Sequence, residues 1–497
     1  MNPTPLSGLY RPSLALLTDL YQLTMAYGYW KNNLHEREAV FHLYFRKAPF
    51  EGGYAVAAGL SLAVDYLQNL RFSEDDITYL ASLTGSKGGR LFPDDFLAYL
   101  RKLEFTCDID AVAEGTVVFG NEPLVCVKGP LLQAQLVETA LLTIINFQTL
   151  IATKAARVRD AAGPEATVLE FGLRRAQGPD GGLEAARAAY LGGADGTSNV
   201  LAGRLYGIPV RGTHAHSWVQ AFGDETQAFA KYADAFPDDS TFLVDTYDTL
   251  EGVRHAIGVA LQMRAQGHEL GGIRLDSGDL AYLSKEARRL LDEAGLPNVR
   301  IVASNDLEEN LITSLRQQGA RIDVWAVGTQ LVTAYNQPAL GGVYKLAALR
   351  TPGSKGWDFT LKLSEQQAKT SIPGILQVRR YLDEHGQPRA DMIYNVAAEP
   401  LPPSPTIIDP ADSTRRRPTR PTAPFRDLLT PVLRQGRLVQ PLPTLQESRV
   451  LAQQEVNNLD ASIRRFLNPH IYPVGLEQSL QEFRTQLMLE KRPVRPA

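Results

Sequence analysis

The chain is poor in cysteine and histidine and has no long uncharged apolar run. Two cysteines among 497 residues, Cys107 and Cys126, can form neither a CxxC site nor a disulfide framework, so reduced thiols are expected. An excess of charge of one sign is missing as well. Lys plus Arg number 51 against 55 Asp plus Glu, and the charges are interspersed, which recommends neither nucleic acid nor a membrane surface as a partner. The most apolar window, 140–152, is short for a bilayer span and is broken by Asn146 and Gln148, so a buried helix is expected there. The opening MNPTPLSGLYRPS has no basic segment leading into an apolar core, so no secretory signal and a cytoplasmic location are expected. GxxxxGK[ST] is absent, so any bound nucleotide is not held by a P-loop.

What is present is an alternation. Seven short apolar runs, at 167–172, 194–198, 208–213, 241–246, 272–277, 299–304 and 323–328, are separated by stretches of helical pattern. Leu250, Val253, Ile257, Ala260 and Leu261 share one helical face, and so do Leu280, Leu283, Ala287, Leu290 and Leu291. Short buried strands alternating with amphipathic helices argue for parallel βα units. The absence of an obvious Rossmann fingerprint favours a barrel over an open sheet. The fold class expected is α/β: an irregular βα barrel at 136–345 packed on a discontinuous α+β domain, with a C-terminal extension. Residues 1–135 form that second domain, completed by chain after about 340. Residues 346–497 hold a return segment, an exposed irregular excursion at 400–424 with eight prolines and the run Arg415–Arg417, and a helical tail from about Leu445.

Each apolar run ends in small or polar residues: Arg174, Ser198, Thr213 to His216, Asp245 and Thr246, Arg274 with Asp276, Ser304 to Asp306, and Gly328 with Thr329. In a βα barrel those ends gather on one rim, where active sites are assembled. His214 and His216 lie one residue apart, so a strand would put both rings on one face as a metal pair. A catalytic metal needs a further ligand, and none of the other six histidines follows another barrel strand. Asp245 or Asp276 could complete the set, which leaves a metal-dependent hydrolase open. Gly328-Thr329 and the arginines suit an anion at the same rim. Arg274 and Asp276 alternate on a strand, so they share a face and could also form an internal salt bridge. Asp279 could be simply an N-terminal helix charge.

Taken together, LTDLYQLTM (17–25), EFGLRRAQGPDG (170–181), GTHAHS (212–217), RLDSGD (274–279), VGT (327–329) and LGGVYKL (340–346), followed by NPHIYPVG (468–475), resemble the nicotinate phosphoribosyltransferase family. The resemblance runs from about residue 14 into the C-terminal region, and so many motifs in one order make it specific. It implies transfer of the phosphoribosyl group of 5-phosphoribosyl 1-diphosphate to nicotinate, giving nicotinate mononucleotide and diphosphate, a step of NAD biosynthesis. ATP would be hydrolysed to ADP and phosphate through a transient phosphohistidine at His216, with Asp276 near the ribose. Tyr21, Phe171, Arg174, Ser198, Thr213 and Arg274 would surround nicotinate, and Asn305, Gly328 and Thr329 the phosphoribosyl group. Asp19 would lie beside Tyr21, both reaching in from the second subunit of a homodimer. Mg²⁺ would travel on the diphosphate rather than in a protein cage, so no protein metal ligand is expected.

Two places depart from the family pattern: Leu376 stands where a basic residue is expected, and nothing in the resemblance anticipates Arg415–Arg417. The position of His214 need not be histidine in the motif, which makes it a rim or packing residue. Ser198 follows Gly-Thr where the related nicotinamide enzyme carries an aspartate, and serine suits a carboxylate substrate better. The competing readings are nicotinamide or quinolinate as substrate, the metal-dependent hydrolase, and a non-catalytic relative.

Overall fold

The computed structural model describes residues 14–366 and 369–492, so the opening stretch read for a secretory signal lies outside the described residues. They divide into two compact units, one of residues 151–338 and the other of residues up to 150 together with 339 onward. The sequence reading placed these divisions at 135/136 and 345/346. The first division falls inside the helix Glu138–Ala162. Along that helix Thr149 accepts the Ala58 N–H at 3.2 Å in one unit, while Arg157 pairs with the buried Glu309 at 2.8 Å in the other.

The 151–338 unit holds six parallel strands: β1 Thr167–Glu170, β2 Gly196–Thr197, β3 Thr241–Leu243, β4 Gly272–Leu275, β5 Arg300–Ala303 and β6 Val324–Val327. The remaining expected run, 208–213, reaches the sheet through one residue, Val210, which bridges Thr197 in parallel. The lateral order is Val210, β2, β1, β6, β5, β4, β3. First and last strands therefore pair, Thr167 opposite Val324 and Glu170 opposite Val327, which is the contact that rolls βα units into a barrel. The backbone ladder is interrupted between Val210 and β3, and this is the irregularity of the barrel.

Helices follow the strand ends because the residues there are caps. The Asn199 side chain accepts the Ala202 N–H at 3.1 Å, Asp248 accepts from Glu251 at 2.9 Å, and Asp279 accepts from both Ala281 and Tyr282 at 3.0 Å. Asp279 is thus the N-cap of helix Leu280–Glu293. Strand alternation sends Leu169, Val302, Val324 and Ala326 to one face, where they form an apolar cluster with Phe171 packed against it. Val302 lies directly opposite Arg274 in the ladder, so the polar side chains stand on the same face as this plug.

In the other unit, chain from before and after the barrel interleaves. Glu38–Phe45 pairs with Gly342–Arg350, and Asp108–Val112 with Leu429–Arg434, in a seven-stranded sheet. A second sheet of six strands is built wholly from chain after the barrel. The strand read at 116–127 is split into Val117–Val118 and Val125–Pro130, with Asn121 at φ 70° in the turn between them. The proline-rich segment 400–424 is more ordered than its composition suggests. Thr406–Ile408 pairs with Arg416–Pro418 and with Val474–Glu477, because Ile407 and Ile408 are buried while Pro418 sits on the edge strand, where a missing N–H is tolerated. Helices Leu445–Asn457 and Gln478–Lys491 form the tail.

Leu169→Ala removes the centre of the barrel plug. A loss of about 2–5 kcal/mol is expected, read as a lower urea midpoint for the 151–338 unit by tryptophan fluorescence.

Candidate active site

A cavity of about 570 Å³ opens on the 151–338 unit, lined by Phe171, Arg174, Ser198, Thr213, His216 and Arg274 among others, with Asp276 at its edge. Seven of the residues singled out in the sequence thus meet in one place. Asn305, Gly328 and Thr329 are not in its lining. Asn305 is exposed at φ 91°, and Gly328 and Thr329 follow β6 half-buried. Asp19 and Tyr21 belong to the other unit, where Asp19 accepts the Thr139 hydroxyl at 3.1 Å and Tyr21 is 47% exposed.

Arg274 organises the floor. Its Nε donates to the Ser304 hydroxyl at 2.8 Å, Nη1 to the Thr213 hydroxyl at 3.0 Å, and Nη2 to Asp276 Oδ1 at 2.8 Å. The internal salt bridge considered from the sequence is present. Three of the five guanidinium N–H groups are engaged, which leaves one on each Nη for an incoming acceptor. The guanidinium also lies 5.9 Å from the centre of the Phe171 ring. Burial works against ionising Asp276, but the Ser304 hydroxyl, then Arg274 and the nearby His216, outweigh it and hold its pKa below the usual carboxylate value. Asp276 is an anion at neutral pH, with Oδ2 facing His216.

His216 opens the helix His216–Phe222, with its ring between two kinds of partner. Nδ1 lies 3.1 Å from the Thr246 hydroxyl. Nε2 faces two carboxylates, Asp276 Oδ2 at 3.8 Å and Asp245 Oδ1 at 4.0 Å. Asp245 is buried and fixed through its other oxygen, which accepts the Asp276 N–H at 3.0 Å and the Ser277 hydroxyl at 2.6 Å. Among the described residues its Oδ1 has no hydrogen-bond partner, so it is a buried acceptor 4.0 Å from the imidazole Nε2. Asp245, Thr246 and Ser304 were visible as polar strand ends, and the one role the sequence suggested among them was Asp245 as a metal ligand. The signal was the Asp-Thr pair closing its strand, as Thr213 and the histidines close theirs.

His214 turns the other way. It is 7% exposed, with Tyr232 edge-on at 4.9 Å between ring centres. Its Nε2 accepts the Leu243 N–H at 3.2 Å, so Nδ1 carries the proton and donates to the Ala215 carbonyl at 3.2 Å. The imidazole thereby supplies β3 with the acceptor that a neighbouring strand would have offered. Burial first, then Arg274 and His216, lower its pKa below the ordinary histidine value despite the Ala215 bond. Both ring nitrogens are committed to backbone, so pairing His214 with His216 around a metal would break the Leu243 bond. Among the described residues, no group of three or more His, Cys, Asp or Glu is arranged to hold a metal. No helix of the described residues is long and apolar enough to cross a membrane.

A parallel barrel whose strand ends gather a histidine, two carboxylates and an arginine over a small cavity is the layout of a barrel enzyme. Comparison with known proteins carries this to a family. Residues 16–146 match the nicotinate phosphoribosyltransferase (NAPRTase) N-terminal domain, 166–355 the nicotinate phosphoribosyltransferase (NAPRTase) family, and 376–484 the nicotinate phosphoribosyltransferase C-terminal domain. The nicotinate phosphoribosyltransferase of Bacillus subtilis is 44% identical over 485 residues, covering 95% of this chain and 94% of the relative. That of Homo sapiens is 38% identical over 538 residues, covering 96% and 97%. The crystal structure of human nicotinic acid phosphoribosyltransferase superposes with a TM-score of 0.81 over 95% of this chain and 99% of that one, at 35% identity. The chain belongs to the nicotinate phosphoribosyltransferase family.

His214→Leu deletes the acceptor for Leu243 and should cost about 1–3 kcal/mol of stability by chemical denaturation. The pH dependence has a definite sign. Below the ordinary histidine pKa the unfolded chain takes up a proton that folded His214 refuses, so His214 makes wild-type stability decrease as the pH is lowered from the ordinary value towards its lower folded value. His214→Leu should lose that component of the acid slope. An unchanged slope would show that His214 is not held neutral.

Proposed function

We propose that this chain transfers the 5-phosphoribosyl group of 5-phosphoribosyl 1-diphosphate to nicotinate, with ATP hydrolysis coupled through phosphorylation of His216, and so serves NAD biosynthesis. The observation that carries the reading is the meeting of His216, Asp245, Asp276, Arg274 and Thr213 beside Phe171, Arg174 and Ser198 at one rim. Family membership supports the substrate pair, since the relatives bear that name.

The nicotinate ring rests against Phe171, and its carboxylate takes the N–H groups left on Arg274 together with Arg174. Ser198 on the same wall brings no negative charge against it. The pyridine nitrogen attacks the ribose carbon as the bond to diphosphate breaks, and positive charge grows on the sugar. Asp276, kept ionised by Ser304 and Arg274, stabilises that charge from a fixed position. The backbone of Gly328 and Thr329, with Asn305, serves the 5-phosphate. The diphosphate would bring Mg²⁺ to neutralise its departing charge, and Asp245 and Asp276 are hard oxygen donors on this rim that would meet the ion.

For the ATP step, the two carboxylates favour a proton on Nε2, which leaves the Nδ1 lone pair as nucleophile once it exchanges the Thr246 hydroxyl for the γ-phosphorus. A nitrogen–phosphorus bond forms, the bond to the β-phosphate oxygen breaks and ADP leaves; water later cleaves the phosphohistidine to phosphate. Tyr21, exposed on helix Leu20–Lys31 with Leu20 and Met25, offers an aromatic face to a second copy's site, with Asp19 beside it, in a homodimer.

Nicotinate and nicotinamide assayed in parallel, with and without ATP, test the reading. Nicotinate turnover stimulated by ATP is expected, with the stimulation abolished in His216→Ala and reduced about 100-fold or more in Asp245→Asn. Equal ATP stimulation in His216→Ala would remove the phosphohistidine, and stoichiometric zinc in purified protein would revive the hydrolase. Ser198→Asp should raise KM for nicotinate far more than for nicotinamide, because the new carboxylate repels only the acid.

A further inference from the structure

A second cavity, larger than the one at the barrel rim, opens on the described chain. It measures about 1280 Å³ and is lined wholly by residues of the other unit, from four separate stretches: 46–53, 119–121, 407–417 and 462–475. Six cationic side chains line it, Arg46, Lys47, Arg415, Arg416, Arg417 and Arg465, with His470 beside them; Glu51 and Asp409 are its only carboxylates. The run that the sequence left without a purpose is thus part of the wall. Nearby groups answer only some of this charge. Arg415 meets Asp412 at 3.2 Å, Arg416 Nε donates to the Ser413 carbonyl at 3.2 Å, and Arg417 Nη1 to the Arg389 carbonyl at 3.3 Å. Arg46 lies near the Tyr44 ring, at 6.0 Å from its centre, and among the described residues neither it, Lys47 nor Arg465 has a carboxylate in ion-pair range.

The wall is also built to hold its shape. A Cβ on Gly120 would come within 2.5 Å of the Arg46 carbonyl oxygen, and one on Gly475 within 2.5 Å of the Ile408 oxygen, so both positions demand glycine for the segments to approach. Glu51, Asn121 and Asn468 in the lining, and Phe50 next to it, have φ of 51°, 70°, 47° and 59°. They are four of the nine non-glycine residues with positive φ among the described residues, and such conformations persist where surrounding structure imposes them. Behind the cavity Phe119 and Tyr472 stack at 3.8 Å, with the buried Arg380 guanidinium 5.3 Å from the Phe119 ring. A concave wall on which cations from three stretches converge with only two carboxylates in the lining attracts a multiply charged anion.

We propose that this cavity is a binding site for a phosphate chain, either inorganic polyphosphate or the chain of a nucleoside polyphosphate, lined by none of the residues of the barrel rim. Guanidinium forks from the 415–417 hairpin take phosphate oxygens in pairs, and Lys47 and Arg465 supply point charge from the facing segments. The volume exceeds the roughly 300–1,000 Å³ usual for a small-molecule site, so a nucleoside fits beside the chain. The site depends on no assignment made at the barrel.

Calorimetric titration of the full chain with inorganic tripolyphosphate tests it, using a barrel-rim variant, Arg174→Ala with His216→Ala, as control. Binding is expected in wild type and in the rim variant. It should weaken about 10-fold or more in Arg415→Ser/Arg416→Ser/Arg417→Ser, with the melting temperature of the unliganded protein unchanged. Lys47→Gln with Arg465→Gln should weaken it likewise, and decides the matter if the triple variant does not fold. ATP titrated into the rim variant identifies the source: tighter binding than tripolyphosphate marks a nucleotide site, equal binding a site for the chain alone. No binding at millimolar concentration, undiminished binding in the cavity variants, or loss confined to the rim variant overturns the proposal.

Discussion

A strand that ends a sheet leaves its amides in need of acceptors, and between Val210 and β3 this barrel meets the need with an imidazole. The Leu243 N–H finds His214 Nε2, and a turn further on His216 reaches Thr246 across the same gap. Much at the rim depends on this seam. It sets the height of Thr213, which holds Arg274, and Arg274 in turn positions Asp276 and Ser304. A regular backbone ladder here would have turned the two histidines into ordinary strand residues. The irregularity of the barrel and the wall of the rim cavity are therefore the same feature.

The seam also explains how two histidines one residue apart come to differ. Alternation alone would put both rings on one strand face, as a metal pair requires. The chain instead leaves the strand at Val210 and begins a helix at His216, so the rings diverge. His214 is buried, neutral and committed at both nitrogens, whereas His216 remains open to solvent between a hydroxyl and two carboxylates. One is committed to backbone and the other faces the cavity, and burial with hydrogen bonding makes the division.

Charge is handled in opposite ways in the two units. At the rim Arg274 and Asp276 answer each other at 2.8 Å. Buried Arg380 in the other unit is likewise met, by Asp391 at 2.6 Å and by Glu455 at 3.3 Å. The cavity bordered by Arg415–Arg417 is the contrast, for there cations from distant parts of the chain converge with few partners. Nothing about the run Arg415–Arg417 read along the chain distinguishes it from a solvated loop. Its pairing against Thr406–Ile408 and then Val474–Glu477 is what delivers it to the cavity.

The sequence by itself determined what depends on local pattern. The seven runs, the helices after them and the gathering of Arg174, Ser198, Thr213, His216, Arg274 and Asp276 were legible because period and polar strand ends are written within a few residues of each other, while Phe171 entered only through the family motifs. The interleaving of N-terminal and post-barrel strands was legible only as an expectation from the family motifs. Tertiary structure alone decided the partners. That Asp245 faces His216, that Ser304 rather than Asn305 joins the Arg274 network, and that His214 serves Leu243 are contacts between residues some thirty positions apart. Their distances are set by how neighbouring strands stand beside one another and by where the ladder breaks. Neither has a periodicity that the chain could display in advance.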